Sequence, residues 1–133
     1  MERLQLNHNI TVMGFQVKTF PDRIGEAFNS LIQKIPDGPD RPCYGISYVA
    51  DDKIVYLAAI AEKTKGEATK YGYENYTIRK GEYQTTTVHD WLSKTATIKD
   101  VFQAMLPDKC PTREMPCIEW YKSNEEMLCM VPL

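Results

Sequence analysis

The sequence lacks most of what would commit it to a membrane, a nucleic acid or a metal. No apolar run approaches the ~20 residues of a membrane span. The opening Met1-Glu2-Arg3-Leu4 has no long apolar core of the secretion-signal kind, so a cytoplasmic protein is expected. Charge of one sign does not dominate: 16 Lys and Arg stand against 18 Asp and Glu, a formal net charge of −2. Proteins that neutralise several phosphates carry a basic excess or stripe, so direct contact with nucleic acid is not expected. There are two histidines, His8 and His89, and Cys110 and Cys117 lie seven apart, which is not zinc-site spacing. No metal and no cofactor is expected. The four cysteines, Cys43, Cys110, Cys117 and Cys129, read as free, partly buried thiols acting as small hydrophobes.

Nucleophile and phosphate motifs are missing as well. There is no G-x-S-x-G element. Gly81-Glu82-Tyr83 lacks the further glycines and the Lys-Ser/Thr pair of a phosphate loop. His89 and Asp90 are adjacent, and neighbours on a strand point to opposite faces, so they do not form a base and its orienter.

What is present is an ordinary globular composition, 43% hydrophobic and 26% charged over 133 residues. That suits one domain, 1–133, able to bury a core without staples. Pro21, Pro36-Asp37-Gly38-Pro39, Asp51-Asp52, Lys65-Gly66, Pro107, Pro111, Asn124 and Pro132 punctuate it. Ile10 to Phe20 reads as a strand. Asp22 to Ile35 carries Ile24, Ala27, Phe28, Leu31, Ile32 and Ile35 on one helical face. Tyr44–Val49 and Ile54–Ala61 read as a hairpin turning at Asp51-Asp52. The order then recurs: Asn75 to Val88 as a strand with a kink or bulge at Gly81, Thr97 to Leu106 as a helix N-capped by Thr97, and Pro116–Lys122 with Met127–Val131 as a second hairpin.

A shift of 74 residues brings Ile24 onto Ile98, Phe28 onto Phe102, Pro42 onto Pro116, Cys43 onto Cys117 and the acidic turns onto one another. The expected architecture is therefore α+β: duplicated β-α-β-β units, halves about 10–65 and 75–133, forming one antiparallel sheet. Both helices cover one face, and a ligand groove runs along the pseudo-two-fold axis on the other.

Strand parity singles out Glu119. In Cys117-Ile118-Glu119-Trp120-Tyr121, Ile118 and Trp120 share one face and Glu119 and Tyr121 the other. With the apolar pair under a helix, Glu119 and Tyr121 face the groove. The shift sets Gly45 opposite Glu119 and Ser47 opposite Tyr121, small residues that leave space for a ligand. A tight turn at Asp51-Asp52 adds Tyr56, with Met130 as its counterpart beside Tyr121, and Trp91 closes one end. A carboxylate in an apolar groove needs a counter-charge or a proton. A cationic ligand would supply it, helped by aromatic faces. The alternative is a Glu on a solvated strand face paired with a lysine, and the sequence leaves both open.

Three stretches resemble the GyrI-like (gyrase-inhibitor-like) effector-binding domain found behind the DNA-binding parts of AraC- and MerR-type regulators. Tyr76-Thr77-Ile78-Arg79-Lys80-Gly81-Glu82-Tyr83 is similar to that family's Gly-x-Tyr strand. Ile118-Glu119-Trp120-Tyr121 is similar to its apolar-Glu-apolar-Tyr strand, and Met127 to Leu133 to its closing strand. The resemblance implies a pocket for lipophilic, often cationic small molecules, with Glu119 at its centre and Tyr121, Tyr56 and Trp91 as its wall. Met130 stands where a tyrosine is common. With no room for a helix-turn-helix, this copy is expected to stand alone.

The preferred expectation is thus a stand-alone small-molecule-binding protein, linked to transcription regulation through a separate regulator protein or acting as a homodimer. A hydrolase acting on a strained electrophile is the alternative, with Glu119 as general base and Tyr121 beside it. A protein-interaction or inhibitor module is a third. No membrane partner is expected.

Overall fold

The computed structural model describes residues 2–106 and 110–133; the breaker at Pro107 lies outside them. Eight strands and three α-helices follow the chain as β1 (Glu2–Leu6), β2 (Ile10–Gln16), α1 (Ile24–Lys34), β3 (Cys43–Ala50), β4 (Lys53–Ala61), α2 (Glu67–Tyr71), β5 (Glu74–Ile78), β6 (Gly81–His89), α3 (Ile98–Met105), β7 (Cys117–Tyr121) and β8 (Glu126–Pro132). All eight strands form one antiparallel sheet, ordered β1-β6-β8-β7-β3-β4-β2-β5. Among the described residues no helix is long and apolar enough to cross a membrane.

Chain connectivity forces this sheet to curl. β5 and β6 lie six strand spacings apart, roughly 29 Å if the sheet were flat, yet Arg79 and Lys80 alone join them. Three Cα steps span at most about 11 Å. The sheet therefore bends until its two sides meet, where the Lys80 amide donates to Asn9 Oδ1 at 2.8 Å. Curling buries the face without helices. Ile46, Leu57, Ile78, Tyr83, Ile118, Leu128 and Met130 pack there with Tyr44 and Trp120. The cavity inside this curl, lined by Val12, Tyr48, Leu57, Tyr76 and Arg113 among others, measures about 20 Å³, room for one water. Among the described residues no groove is shown on the face away from the helices: the open sheet fills that face by curling.

Both long helices lie on the other face. The stripe of α1 (Ala27, Leu31, with Ile24 and Phe28) packs on Met13, Tyr56, Ala58 and Ile60, and that of α3 (Ile98, Val101, Phe102, Met105) on Cys117, Met127, Cys129 and Val131.

Several local expectations change. Asn75 to Val88 is two strands, because Gly81 at φ 136° breaks the chain direction; β5 joins β2 and β6 joins β1 and β8. Thr97 does not cap α3: its own conformation is helical and its hydroxyl donates to the Lys94 carbonyl. β1 and α2 carried no sequence signal of their own. The first hairpin turns tightly, with Asp51 and Asp52 both at positive φ (53° and 62°), the geometry of a type I′ turn.

Candidate functional site

Glu119 sits in the middle of the sheet, directly across from Gly45 on β3 and Cys129 on β8. Tyr121, two residues on, shares its face. The tight Asp51-Asp52 turn pairs Tyr56 with Ser47, putting Tyr56 on that face too. The Tyr56 hydroxyl donates to Glu119 Oε1 at 2.6 Å and the Tyr121 hydroxyl to the same oxygen at 2.7 Å; the two phenolic oxygens are 3.0 Å apart. With both protons committed to Oε1, the contact between the phenols carries none. Gly45 is what admits this arrangement, since a Cβ there would run into Tyr56 Oη and Glu119 Oε1. The room left by glycine belongs to the triad itself and not to a ligand.

Aromatic rings wall the triad. Phe20 stacks on Tyr56 with centroids 4.8 Å apart. Phe28, from α1, and Trp91 both meet Tyr121 edge-on, at 5.0 and 4.9 Å. Phe20 is set by a turn in which its amide donates to the Val17 carbonyl while the Val17 amide donates to that of Tyr56. Trp91 is fixed by its indole N–H on the Ser123 carbonyl at 2.8 Å and by the Asp90 amide on the Glu125 carbonyl.

The electrostatics follow from what is missing. Among the described residues no lysine, arginine or histidine pairs with Glu119. Burial raises its carboxyl above the ordinary value, and the two phenol donors only partly oppose this. Both phenols are pushed well above their ordinary range, first by burial and then by the neighbouring carboxylate. They stay protonated and remain donors. Glu119 is nevertheless only part-buried. Among the described residues no hydrogen bond reaches Oε2, and every described side-chain polar atom sealed from solvent has a partner. Oε2 therefore reaches solvent. Cys117 and Cys129 line the same face, and burial pushes their thiols up to about 12, with Cys43 at about 11. These are free, uncharged, weakly polar groups, not nucleophiles.

The structure thus brings Glu119, Tyr121, Tyr56 and Trp91 together. Ser47 is half-buried between Tyr56 and Cys117 and makes no side-chain hydrogen bond among the described residues. Two expectations need correction. Ile118 and Trp120 do not pack under a helix; Glu119 and Tyr121 do face the helices, because curling, not helices, buries the other side. Met130 is not beside Tyr121. Ser47 and its partner Tyr56 are nine residues apart, whereas Tyr121 and its partner Met127 are six apart. The second hairpin is three residues shorter, so Met127 takes the position opposite Tyr121 and Met130 faces the opposite core. Sequence reasoning missed Phe20 and Phe28. Phe28 stood in the α1 stripe, where it read as core; Phe20 sits in a turn that no periodicity places.

No protein-family model and no curated protein matches the sequence. Solved structures do match in fold. The chain is similar to an integron cassette protein from the mobile metagenome of Vibrio cholerae (TM-score 0.68, 14% identity, covering 98% of this chain and 94% of that one). It is similar to a hydrolase from Listeria innocua (TM-score 0.60, 14% identity, covering 98% and 89%). A protein from Staphylococcus aureus provisionally described as a bacterial transcription regulation protein also matches (TM-score 0.60, 15% identity, covering 98% and 95%). At these identities the likeness is one of fold.

Proposed function

We propose that this chain is an effector-binding domain of the GyrI-like kind, taking a lipophilic cation at Glu119 between the two helices. One observation carries the reading: a part-buried carboxylate, without a cation of its own among the described residues, inside a wall of five aromatic rings. Leaving such a charge uncompensated is costly, and a bound cation would remove that cost while gaining cation–π attraction. The sheet order supports twin halves about this point, since β2-β4-β3 and β6-β8-β7 approach the centre from opposite sides. The 74-residue shift also turns the Cys43–Tyr121 pair into the Cys117–Ser47 pair, which is formed. The fold shared with a provisionally described regulator fits a link to transcription.

The test is a titration with the dye cation crystal violet. In a Trp120→Phe background Trp91 is the only indole, and its fluorescence should be quenched on binding. Glu119→Gln should weaken binding at least tenfold, about 1.4 kcal/mol. Unchanged affinity would remove the carboxylate from the reading.

A hydrolase is the second reading, supported by the solvent-reachable Oε2 and the raised carboxyl, which suit a general base. Water would attack a strained carbon, its proton passing to Glu119 and then to the departing oxygen. Binding of styrene oxide without diol formation would discard it.

A further inference from the structure

Resting on that binding reading, we propose that Glu119 is a one-oxygen acceptor, so the site selects quaternary or single-donor cations and rejects guanidinium and amidinium groups. A carboxylate offers two lone pairs on each oxygen. On Glu119, both lone pairs of Oε1 are taken, by Tyr56 at 2.6 Å and by Tyr121 at 2.7 Å. Only Oε2 is left for a ligand.

A guanidinium binds a carboxylate through two parallel N–H bonds, one to each oxygen. Here it could make one of them. The side chains flanking the triad, Phe20, Phe28, Trp91 and the thiols of Cys117 and Cys129, offer its remaining N–H groups no good acceptor. Unsatisfied donors in such a place cost more than the charge contact returns. A quaternary ammonium has no N–H to satisfy. It needs charge at Oε2 and aromatic rings close by, and the rings of Phe20, Phe28 and Trp91 pack on the two phenols that hold Oε1. Tyr56 and Tyr121 are then specificity-determining residues through the lone pairs they occupy, and Gly45 supports them by leaving space for the contact.

The experiment is isothermal titration of the intact protein with a matched pair, benzyltrimethylammonium and benzylguanidinium, which share the ring and the charge. The ammonium should bind at least tenfold tighter. Tyr121→Phe frees a lone pair on Oε1 and should narrow the gap to about threefold; Tyr56→Phe frees the other and should act alike, so one folded variant suffices. Equal or tighter binding of the guanidinium by the wild-type protein overturns the selectivity and leaves the receptor reading standing. An undiminished gap in the Phe variants also overturns it, because selection would then not come from the tied oxygen. Binding of neither probe defeats both readings.

Discussion

Two glutamates in this fold meet opposite fates. Glu67, at the start of α2, receives both terminal nitrogens of Arg41 at 2.8 Å, while Arg41 Nε also reaches Asp37 at 3.1 Å and Lys63 pairs with Asp37. The Arg41 guanidinium holds Glu67 down to about 2. Among the described residues Glu119 has only phenols for partners, and burial raises it. Where the chain supplies its own cation, the carboxylate ties loop to helix and nothing is left over. Where it supplies none, the carboxylate keeps an open oxygen. That contrast separates the two carboxylates more sharply than burial does, since Arg41, Glu67 and Glu119 are all covered to some degree.

The contrast breaks most visibly at Glu67. Glu67→Ala leaves the Arg41 side chain, only 4% exposed, without its bidentate partner. Removing one member of a buried pair costs about 3–5 kcal/mol. This cluster lies just beneath the surface and Arg41 keeps Asp37, so about 2 kcal/mol is expected by urea unfolding at pH 7. The folded pKa lies below the ordinary 4.5, so this stability is fully present above pH 4.5 and is lost as pH falls toward 2. The difference between wild type and Glu67→Ala should close over that window. A difference that persists at pH 2 would mean the pair contributes through packing and not charge.

Glu119 should move the other way. Its folded pKa is raised, so its contribution is favourable below pH 4.5 and is lost as pH rises through the raised value. Above that value the ionised side chain costs stability. Glu119→Gln keeps an oxygen for both phenols and removes the charge, so it should raise stability at pH 7 by about 1 kcal/mol or less and change little at pH 4. Thermal melts at the two pH values decide it. Destabilisation at pH 7 would place Glu119 in the same class as Glu67.

How much of this was legible beforehand differs between the two regions. The parity that puts Glu119 with Tyr121, and the tight Asp51-Asp52 turn that brings Tyr56 to them, are local rules, and both hold. The side they face was not legible. It depends on the curl, which follows from β5 and β6 being joined by two residues, and that matters only once strand order is known. The placing of Met130 failed for a similar reason. A three-residue difference between hairpins leaves the 74-residue alignment plausible through β7 yet changes which methionine meets Tyr121. The Arg41–Glu67 pair lay wholly out of reach, because its members are 26 residues apart and α2 has no apolar stripe long enough to announce itself.

The smallest expected effect sharpens the comparison furthest. Gly45→Ala puts a Cβ against Tyr56 Oη and Glu119 Oε1. Alanine in a strand gains about 0.5–1 kcal/mol over glycine from backbone entropy. Displacing one hydroxyl from the carboxylate loses about 1 kcal/mol. The neighbours that must give way are the ends of two side chains and not backbone, so the effects nearly cancel, and stability should stay within about 0.5 kcal/mol of wild type. Dye binding should still fall, because the carboxylate no longer sits where the rings converge. A loss of several kcal/mol would instead show that the triad packs as rigidly as the Arg41 cluster, with no freedom reserved for a ligand.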